Sequence, residues 1–479
     1  MVPCQSILSL HLQPALEDPC ARTDGPAGLA DDLVINPMFT QDSQQKPVPR
    51  DRFPTRGMLP DTAYQLIHDE LLLDGNSRQN VATFGTTWME PQAQALMAET
   101  FDKNMIDKDE YPQTAELETR CVRMLADLWH APGVGVPGVS TVGSSEACML
   151  GGLALKRRWQ ERRRAAGLPA DRPNMVAGAN VQVVWDKFFN YFEVEPRLVP
   201  LEGDRLHIGP AEAAALCDEN TIGVVGILGS TMDGSYEPIA ALADALDALQ
   251  ARTGVDVPIH VDGASGAMVA PFLEPDLAWD FRLPRVSSIS TSGHKYGLVY
   301  PGVGWVVWRD QSVLPEDLVF HVNYLGGDMG TFTLNFSRPG SQVVAQYYTF
   351  LRLGFDGFRR VQQTCRDVAV SLATRIERIG PYELLSRGDQ LPVFAFKLRD
   401  DITNFTVFDV SRRMRERGWQ VPAYTMPPNR EDLAVLRVVV RNGMSSDLAA
   451  MFLADLVRFT NELESQPGSH IAPVATFRH

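Results

Sequence analysis

The chain has 479 residues, of which 44% are hydrophobic and 22% are charged, and its formal net charge is −15. This composition is typical of a folded globular protein, and the length is enough for two or three domains. Because an acidic chain is repelled by phosphate backbones, the charge argues against nucleic acid as a partner.

The sequence shows no clear secretory signal, membrane-spanning segment or metal-binding motif. No stretch approaches the roughly 20 apolar residues that a membrane-spanning helix needs, and residues 1–16 lack the basic region of a secretory signal. The six cysteines have no metal-ligand spacing. Four of them have the apolar or helical surroundings of core thiols: Cys121, Cys148, Cys217 and Cys365. We expect a cytoplasmic protein with no metal site and no integral membrane contact.

In chain order, the sequence predicts four regions. Residues 1–78 form an N-terminal arm, partly flexible and rich in proline, which ends in an amphipathic helix over 61–73 and makes oligomer contacts. Residues 79–365 form a large cofactor-binding domain, residues 366–466 a small C-terminal α/β domain, and residues 467–479 a tail.

The large domain alternates helices with short apolar strands. Strands are predicted at 174–177, 181–185, 197–200, 222–228, 258–262, 286–290 and 302–308. Helices are predicted at 91–100, 114–130, 146–166, 239–253 and from 342 onward. This alternation predicts an α/β fold with a mainly parallel sheet wrapped by helices, in which ligands bind beyond the carboxyl ends of the strands.

The first candidate motif, Gly143-Ser144-Ser145-Glu146, opens one of the predicted helices. Free amides at a helix N-terminus and two hydroxyls suit a phosphate group. Serine before glutamate is also a common helix cap, and the motif alone does not separate the two functions.

The second candidate is Asp262, which ends a predicted strand and is followed by Gly263-Ala264-Ser265-Gly266. A carboxylate at this position suits an ion pair with a protonated pyridine nitrogen, and the small residues let a flat ring approach. A helix N-cap is an equally good interpretation of Asp262 by itself.

The third candidate is Lys295 in Ser292-Gly293-His294-Lys295, between two apolar strands. A surface lysine is the commoner interpretation of such a residue alone, but a buried ammonium is costly, and an imine to pyridoxal phosphate removes the cost. Phosphate site, acid and lysine in that chain order are what a fold-type I pyridoxal phosphate enzyme requires. The three motifs together indicate such an enzyme far more specifically than any one of them does alone.

Longer motifs identify a family. The chain resembles the glutamate decarboxylases of the bacterial and plant type, which are pyridoxal phosphate-dependent group II decarboxylases, over nearly all of residues 58–479. The matching text includes LDGNSRQN from residue 73, EYP from 110, GSSEA from 143, WDFRLPRV from 279, YLGG from 324, NFSRP from 335 and GWQVPA from 418.

The resemblance implies a role for each matching cofactor residue. Lys295 would be the Schiff-base lysine that glutamate displaces to form the external aldimine, and Asp262 would pair with the pyridine nitrogen. Gln182 would lie over the ring face and Thr231 near its phenolic side. The implied phosphate ligands are Ser144, Ser145, Ser292, His294 and, from a neighbouring subunit, Ser337.

The resemblance also implies a substrate site. Thr83 would hold the distal carboxylate, with Phe84 beside it, and Asn104 and Asp107 would be contributed at the subunit boundary. Arg437 would bind the α-carboxylate, although a strand-end surface arginine is the plainer interpretation of that residue.

Three further expectations concern control of the site. Tyr324 would belong to a mobile hairpin that closes over the site and governs protonation of the carbanion. Because two anions repel, Asp107 beside a bound carboxylate predicts that substrate binding favours low pH. His479 would gate activity at neutral pH, unless the terminus is simply disordered.

The implied reaction is decarboxylation of L-glutamate to 4-aminobutanoate and carbon dioxide. A relative acting on aspartate or an aromatic amino acid is the alternative within this class, and a non-catalytic relative is the alternative outside it. Shared sites imply a homo-oligomer, with a dimer as the minimum and a hexamer compatible. Calmodulin control is not expected, because the C-terminus carries no basic helix with a tryptophan.

Overall fold

The structure is a computed structural model that describes residues 50–323 and 329–465. The chain divides into two units, residues 1–75 and residues 76–479. Within the first unit, helix α1 (Pro60–Leu71) begins one residue before the predicted cap Asp61, with Pro60 in its first turn. Proline fits there because the first amides of a helix have no acceptor inside it.

The second unit contains the remaining helices and all the described strands. The helices are α2 (Pro91–Glu99), α3 (Pro112–Leu128), α4 (Ser144–Ala165), α5 (Val183–Tyr191), α6 (Pro210–Ala215), α7 (Ile239–Thr253), α8 (Ala270–Leu273), α9 (Ser341–Glu377), α10 (Val407–Arg415) and α11 (Ser446–Ser465). The strands of the large sheet are β1 (Gly138–Thr141), β2 (Asn174–Gly178), β3 (Glu195–Val199), β4 (Thr221–Ile227), β5 (Ile259–Asp262), β6 (Val286–Ser292) and β7 (Gly304–Trp308). The others are β8 (Phe320–Val322), β9 (Met329–Thr331), β10 (Tyr382–Leu384), β11 (Val393–Leu398), β12 (Ala423–Thr425) and β13 (Ala434–Val439).

The large sheet has the order β1-β7-β6-β5-β4-β2-β3. Its strands are parallel except for β7, which pairs antiparallel with both β6 and β1. The predicted α/β architecture is therefore confirmed. Since β4, β5 and β6 are adjacent and parallel, the residues that follow them gather at one edge of the sheet.

The small sheet is antiparallel, in the order β10-β11-β13-β12. Helix α9 serves both cores: Phe358 packs in the core of the large sheet, whereas Cys365 and the residues after it pack with the small sheet. Val81, from before the large sheet, also belongs to the second core. The two separate cores are consistent with the predicted division near residue 365, which stays a prediction.

One predicted strand is wrong. Residues 181–185 do not form a strand, and α5 begins at Val183 instead, where the side chain of Gln182 caps it by accepting a hydrogen bond from the Val184 amide over 2.8 Å. The buried residues Val184, Trp185, Phe188 and Phe189 follow helical spacing, which five residues alone could not reveal.

Two smaller differences affect the site. Strand β6 extends to Ser292, so the serine-rich run lies in the sheet rather than in a loop. Strand β1, between a proline-rich turn and the Gly143 motif, was not predicted. Among the described helices, none is both long and apolar enough to cross a membrane.

Candidate active site

A cavity of about 410 Å³ lies at the carboxyl ends of β4, β5 and β6. Lys295 and Asp262, the two residues on which the predicted chemistry depends, both line it. The other predicted residues in its wall are Ser144, Ser145, Gln182, Thr231 and His294. The fold therefore brings together residues that are up to 151 positions apart, from Ser144 to Lys295.

One end of the cavity is suited to a phosphate group. The first turn of α4 places Ser144 and Ser145 there, after Gly143. In β7, a Cβ atom on Gly304 would lie 2.4 Å from the carbonyl carbon of Gly143, so only glycine permits this approach of helix and strand. The hydroxyl of Ser292 is buried and has no hydrogen-bond partner in the described structure. A buried hydroxyl without a partner is costly, and a phosphate oxygen would satisfy it.

His294 lies beside the helix start. Its Nδ1 is 2.9 Å from the carbonyl oxygen of Val303, which leaves Nε2 for a ligand. Burial lowers the pKa of His294 and thereby favours the neutral ring.

Asp262 ends β5 and is buried. Its Oδ2 accepts a hydrogen bond from Nε1 of Trp185 over 2.9 Å, and its Oδ1 accepts one from the Ala264 amide over 3.1 Å. The two donors, one on each oxygen, fix the orientation of the carboxylate. The N-cap interpretation is not supported, because the next helical turn begins at Gly266 with no side-chain cap.

Lys295 follows β6 and is partly buried. Burial lowers its pKa, while the negative charge of Asp262 acts in the opposite direction. Thr86 holds the backbone here, because its hydroxyl donates to the Lys295 carbonyl over 2.7 Å and its amide donates to the His294 carbonyl over 2.7 Å. A lowered lysine pKa favours the neutral amine that attacks carbonyl groups.

Arg437, in β13, is only 8% exposed, so it is not a surface arginine. Its guanidinium donates to the carbonyl oxygens of Thr231 and Ala82, and its Nε has no partner in the described structure. The guanidinium lies 5.1 Å from the ring centroid of Phe84. A buried cation with one donor to spare is suited to a carboxylate ligand.

The remaining predicted residues do not line the cavity of this chain. Thr83 is exposed, and Asn104 contacts Ser337 through a hydrogen bond of 3.2 Å from Nδ2 to Oγ. Asp107 follows in the same loop and is partly buried. Asn104, Asp107 and Ser337 therefore lie together, and none of them is among the residues that line this cavity.

Two predicted residues, Tyr324 and His479, lie outside the described residues. The antiparallel strands β8 and β9 precede and follow residues 324–328 in the sequence.

Sequence reasoning missed several residues that support the site. Trp185 was assigned to a strand, and Thr86 gave no signal because its partners are 209 positions away. Behind Asp262, His260 is buried between the hydroxyls of Ser288, at 2.7 Å, and Ser290, at 3.1 Å.

The geometry fits pyridoxal phosphate: a helix start and a partnerless hydroxyl for the phosphate, a buried carboxylate for the ring nitrogen and a lysine for the aldehyde. The comparisons agree. Residues 54–399 match the family model described as the pyridoxal-dependent decarboxylase conserved domain.

Curated relatives are similar over most of their length. The chain is 54% identical to a glutamate decarboxylase of Aliivibrio fischeri, over 92% of this chain and 95% of that protein. It is 52% identical to glutamate decarboxylase 5 of Arabidopsis thaliana, over 89% of this chain and 87% of that protein. The solved structure of a glutamate decarboxylase from Lactobacillus brevis superposes with a TM-score of 0.87 at 45% identity, over 91% of this chain and 99% of that one.

Fold, site and family model define a pyridoxal phosphate-dependent decarboxylase. Within that class, the chain belongs to the glutamate decarboxylase family.

Proposed function

We propose that the protein releases the α-carboxylate of L-glutamate as carbon dioxide and yields 4-aminobutanoate. The observation that carries the proposal is the placement of Lys295 and Asp262 in one cavity, with the buried cation Arg437 close to Lys295 through the shared ring of Phe84. The glutamate decarboxylases of more than 50% identity support the choice of substrate.

Pyridoxal phosphate, when bound, supplies an electron sink for the electron pair of the bond that breaks. Asp262 would pair with the ring nitrogen and favour its protonated form, and Gln182 and Thr231, which line the same cavity, would hold the ring at its face and its phenolic side. Ser144, Ser145, Ser292 and His294 hold the phosphate, and Ser337 of a neighbouring copy would complete its binding. Lys295 would be the amine that holds the aldehyde of the cofactor.

Arg437 orients the substrate. Its free Nε and the adjacent donors bind the α-carboxylate, which fixes the bond to be broken relative to the ring. Thr83 and Phe84 would receive the distal end of the substrate, with Asn104 and Asp107 supplied by a neighbouring copy. After carbon dioxide leaves, Lys295 or Tyr324 returns a proton to Cα.

The grouping of Asn104, Asp107 and Ser337 away from this chain's own cavity supports a homo-oligomer in which each copy completes its neighbour's site. We propose a dimer as the minimum unit. Three buried free thiols, Cys121, Cys148 and Cys365, support a reducing compartment such as the cytoplasm.

The direct test is carbon dioxide release from glutamate, aspartate and aromatic amino acids by the purified holoenzyme. We expect carbon dioxide release from glutamate alone. Lys295→Ala should lower the rate of release at least a thousandfold and should also abolish the visible absorption band of the bound cofactor. Lys397→Ala is the matched control, since Lys397 pairs with Glu383 and Asp400 on the small domain, and it should keep both signals. Release from aspartate or an aromatic amino acid instead of glutamate would overturn the assignment.

A further inference from the structure

We propose that Trp185 is a positioning residue for the cofactor: its indole N–H holds the Asp262 carboxylate in the orientation that faces the pyridine nitrogen and keeps it from turning toward Lys295. The inference rests on the proposed function, because it assigns Asp262 to that nitrogen. It concerns a residue of α5 that contributes no surface to the cavity itself.

The first observation is that each oxygen of the Asp262 carboxylate has its own donor. Trp185 Nε1 lies 2.9 Å from Oδ2, and the Ala264 amide lies 3.1 Å from Oδ1. A carboxylate has about four acceptor positions. One donor on each oxygen fixes the plane of the group and leaves further lone pairs for a third donor, the protonated ring nitrogen.

The second observation is that the indole cannot move away. Trp185 is completely buried, and its ring packs edge-to-face against Phe188, with centroids 5.7 Å apart, and against His260, with centroids 5.4 Å apart. The indole N–H therefore points at Asp262 before the cofactor binds, and binding costs the carboxylate little conformational entropy.

The third observation is the competing charge. Lys295 and Asp262 line the same cavity, yet they form no ion pair within 4.0 Å in the described structure. A carboxylate free to rotate would turn toward the ammonium, and an ion-paired lysine is held in its protonated form. The hydrogen bond from Trp185 therefore has two effects. The Asp262 carboxylate stays oriented toward the ring nitrogen, and the Lys295 amine remains able to act as a nucleophile.

The other groups packed against Asp262 do not replace the indole. Burial, and secondarily the charge of Asp262, raises the pKa of the Cys148 thiol well above its usual range, so the thiol is neutral. Burial lowers the pKa of His260 to about 4, and both its ring nitrogens already face serine hydroxyls. The Cys148 thiol is only a weak donor and its sulfur lies 3.2 Å from the Ser290 hydroxyl, and neither Cys148 nor His260 supplies a charged donor near neutral pH.

The test measures binding of pyridoxal phosphate to apoenzyme by equilibrium dialysis, and the visible circular dichroism of the bound cofactor. We expect Trp185→Phe, which keeps an aromatic ring but removes the N–H, to raise the dissociation constant about tenfold to a hundredfold, the usual effect of one hydrogen bond to a charged group. The circular dichroism band should weaken, because the ring is held less firmly.

Trp419→Phe is the matched control. Trp419 is 1% exposed, and its indole also donates to a carboxylate over 2.9 Å, that of Asp455 in the small domain. Loss of this bond should leave the dissociation constant within about twofold of the original value. In an Asp262→Asn background, Trp185→Phe should likewise add less than about twofold, because the two residues act as one unit.

An unchanged dissociation constant in Trp185→Phe, or an undiminished effect in the Asp262→Asn background, would overturn the proposal. If Trp185→Phe does not fold, benzothienylalanine at position 185 keeps the two-ring shape without the N–H and gives the same two readouts. The binding experiment contains no amino acid substrate, so its result does not depend on the reaction. A holoenzyme that binds the cofactor tightly but leaves glutamate intact would refute the proposed function and not this inference.

Discussion

The ammonium nitrogen of Lys295 lies 5.2 Å from the centroid of the Phe84 ring. The Arg437 guanidinium lies 5.1 Å from the same centroid, so one buried ring contacts both basic side chains. Such contacts are worth about 0.5–2 kcal/mol each when water is excluded. Phe84 therefore acts on the electrostatics of the site as well as on its shape.

We expect Phe84→Leu to raise KM for glutamate about threefold to thirtyfold, since Arg437 loses the aromatic face that holds it. The change in kcat should be smaller. Steady-state kinetics measure both, and Phe53→Leu, at a side chain that is 97% exposed, is the control. An unaltered KM in Phe84→Leu would show that the ring contributes nothing to substrate binding.

Thr86 should be needed for the backbone position of Lys295, because its hydroxyl donates to the Lys295 carbonyl. Thr86→Val removes the hydroxyl and keeps the shape, and we expect it to lower kcat about tenfold and the free energy of unfolding by about 1–3 kcal/mol. Thr86→Ser keeps the hydroxyl and should retain most of the original kcat and of the original free energy of unfolding. If Val and Ser variants behave alike, the hydrogen bond is not what matters.

Stability should depend on pH through His260. Burial lowers the pKa of His260 from 6.5 to about 4, although the nearby Asp262 opposes the change. The unfolded chain therefore binds a proton that the folded chain does not between these values. The contribution of His260 is complete above pH 6.5 and is lost as the pH falls toward 4, by about 3 kcal/mol.

Urea unfolding between pH 4 and 7 measures this effect. We expect His260→Gln, whose amide can still bond to Ser288 and Ser290, to reduce the loss of stability across that range. His68→Gln, at a half-exposed side chain of α1, should follow the original protein. A His260→Gln curve parallel to that of the original protein would contradict the assignment.

The pair Arg338–Glu118 should stabilise the segment that carries Ser337. The two charges are 3.4 Å apart, and the Arg338 side chain is 6% exposed. We expect Arg338→Ala to cost about 3–5 kcal/mol of unfolding free energy, since it leaves Glu118 buried without its cation. Arg352→Ala, which breaks an exposed pair with Glu90, should cost no more than about 1 kcal/mol, and equal losses in the two variants would count against this account.

The sequence was most informative where local pattern and chemistry coincide. Asp262 and Lys295 could be placed because Asp262 ends one apolar strand and Lys295 follows the next, and adjacent parallel strands have their carboxyl ends at one edge of the sheet. Short apolar runs were ambiguous: residues 181–185 suit a strand by composition, and only contacts with Phe188 and Phe189 further along decide for a helix.

Long-range partners were beyond prediction. No pattern in the chain connects Thr86 to Lys295, 209 positions later, or Trp185 to Asp262, 77 positions later, because folding alone brings these atoms into contact. The fold and the placement of Asp262 and Lys295 in one cavity could therefore be predicted, while their long-range hydrogen-bond partners could not.

The close approach of Gly304 to Gly143 has a consequence for ligand retention. A single methyl group on the strand residue would overlap the peptide that introduces α4, and the helix, which carries both serines of the anion pocket, would have to shift outward. A larger residue at position 304 would therefore weaken the proposed binding of a phosphate group at the start of α4.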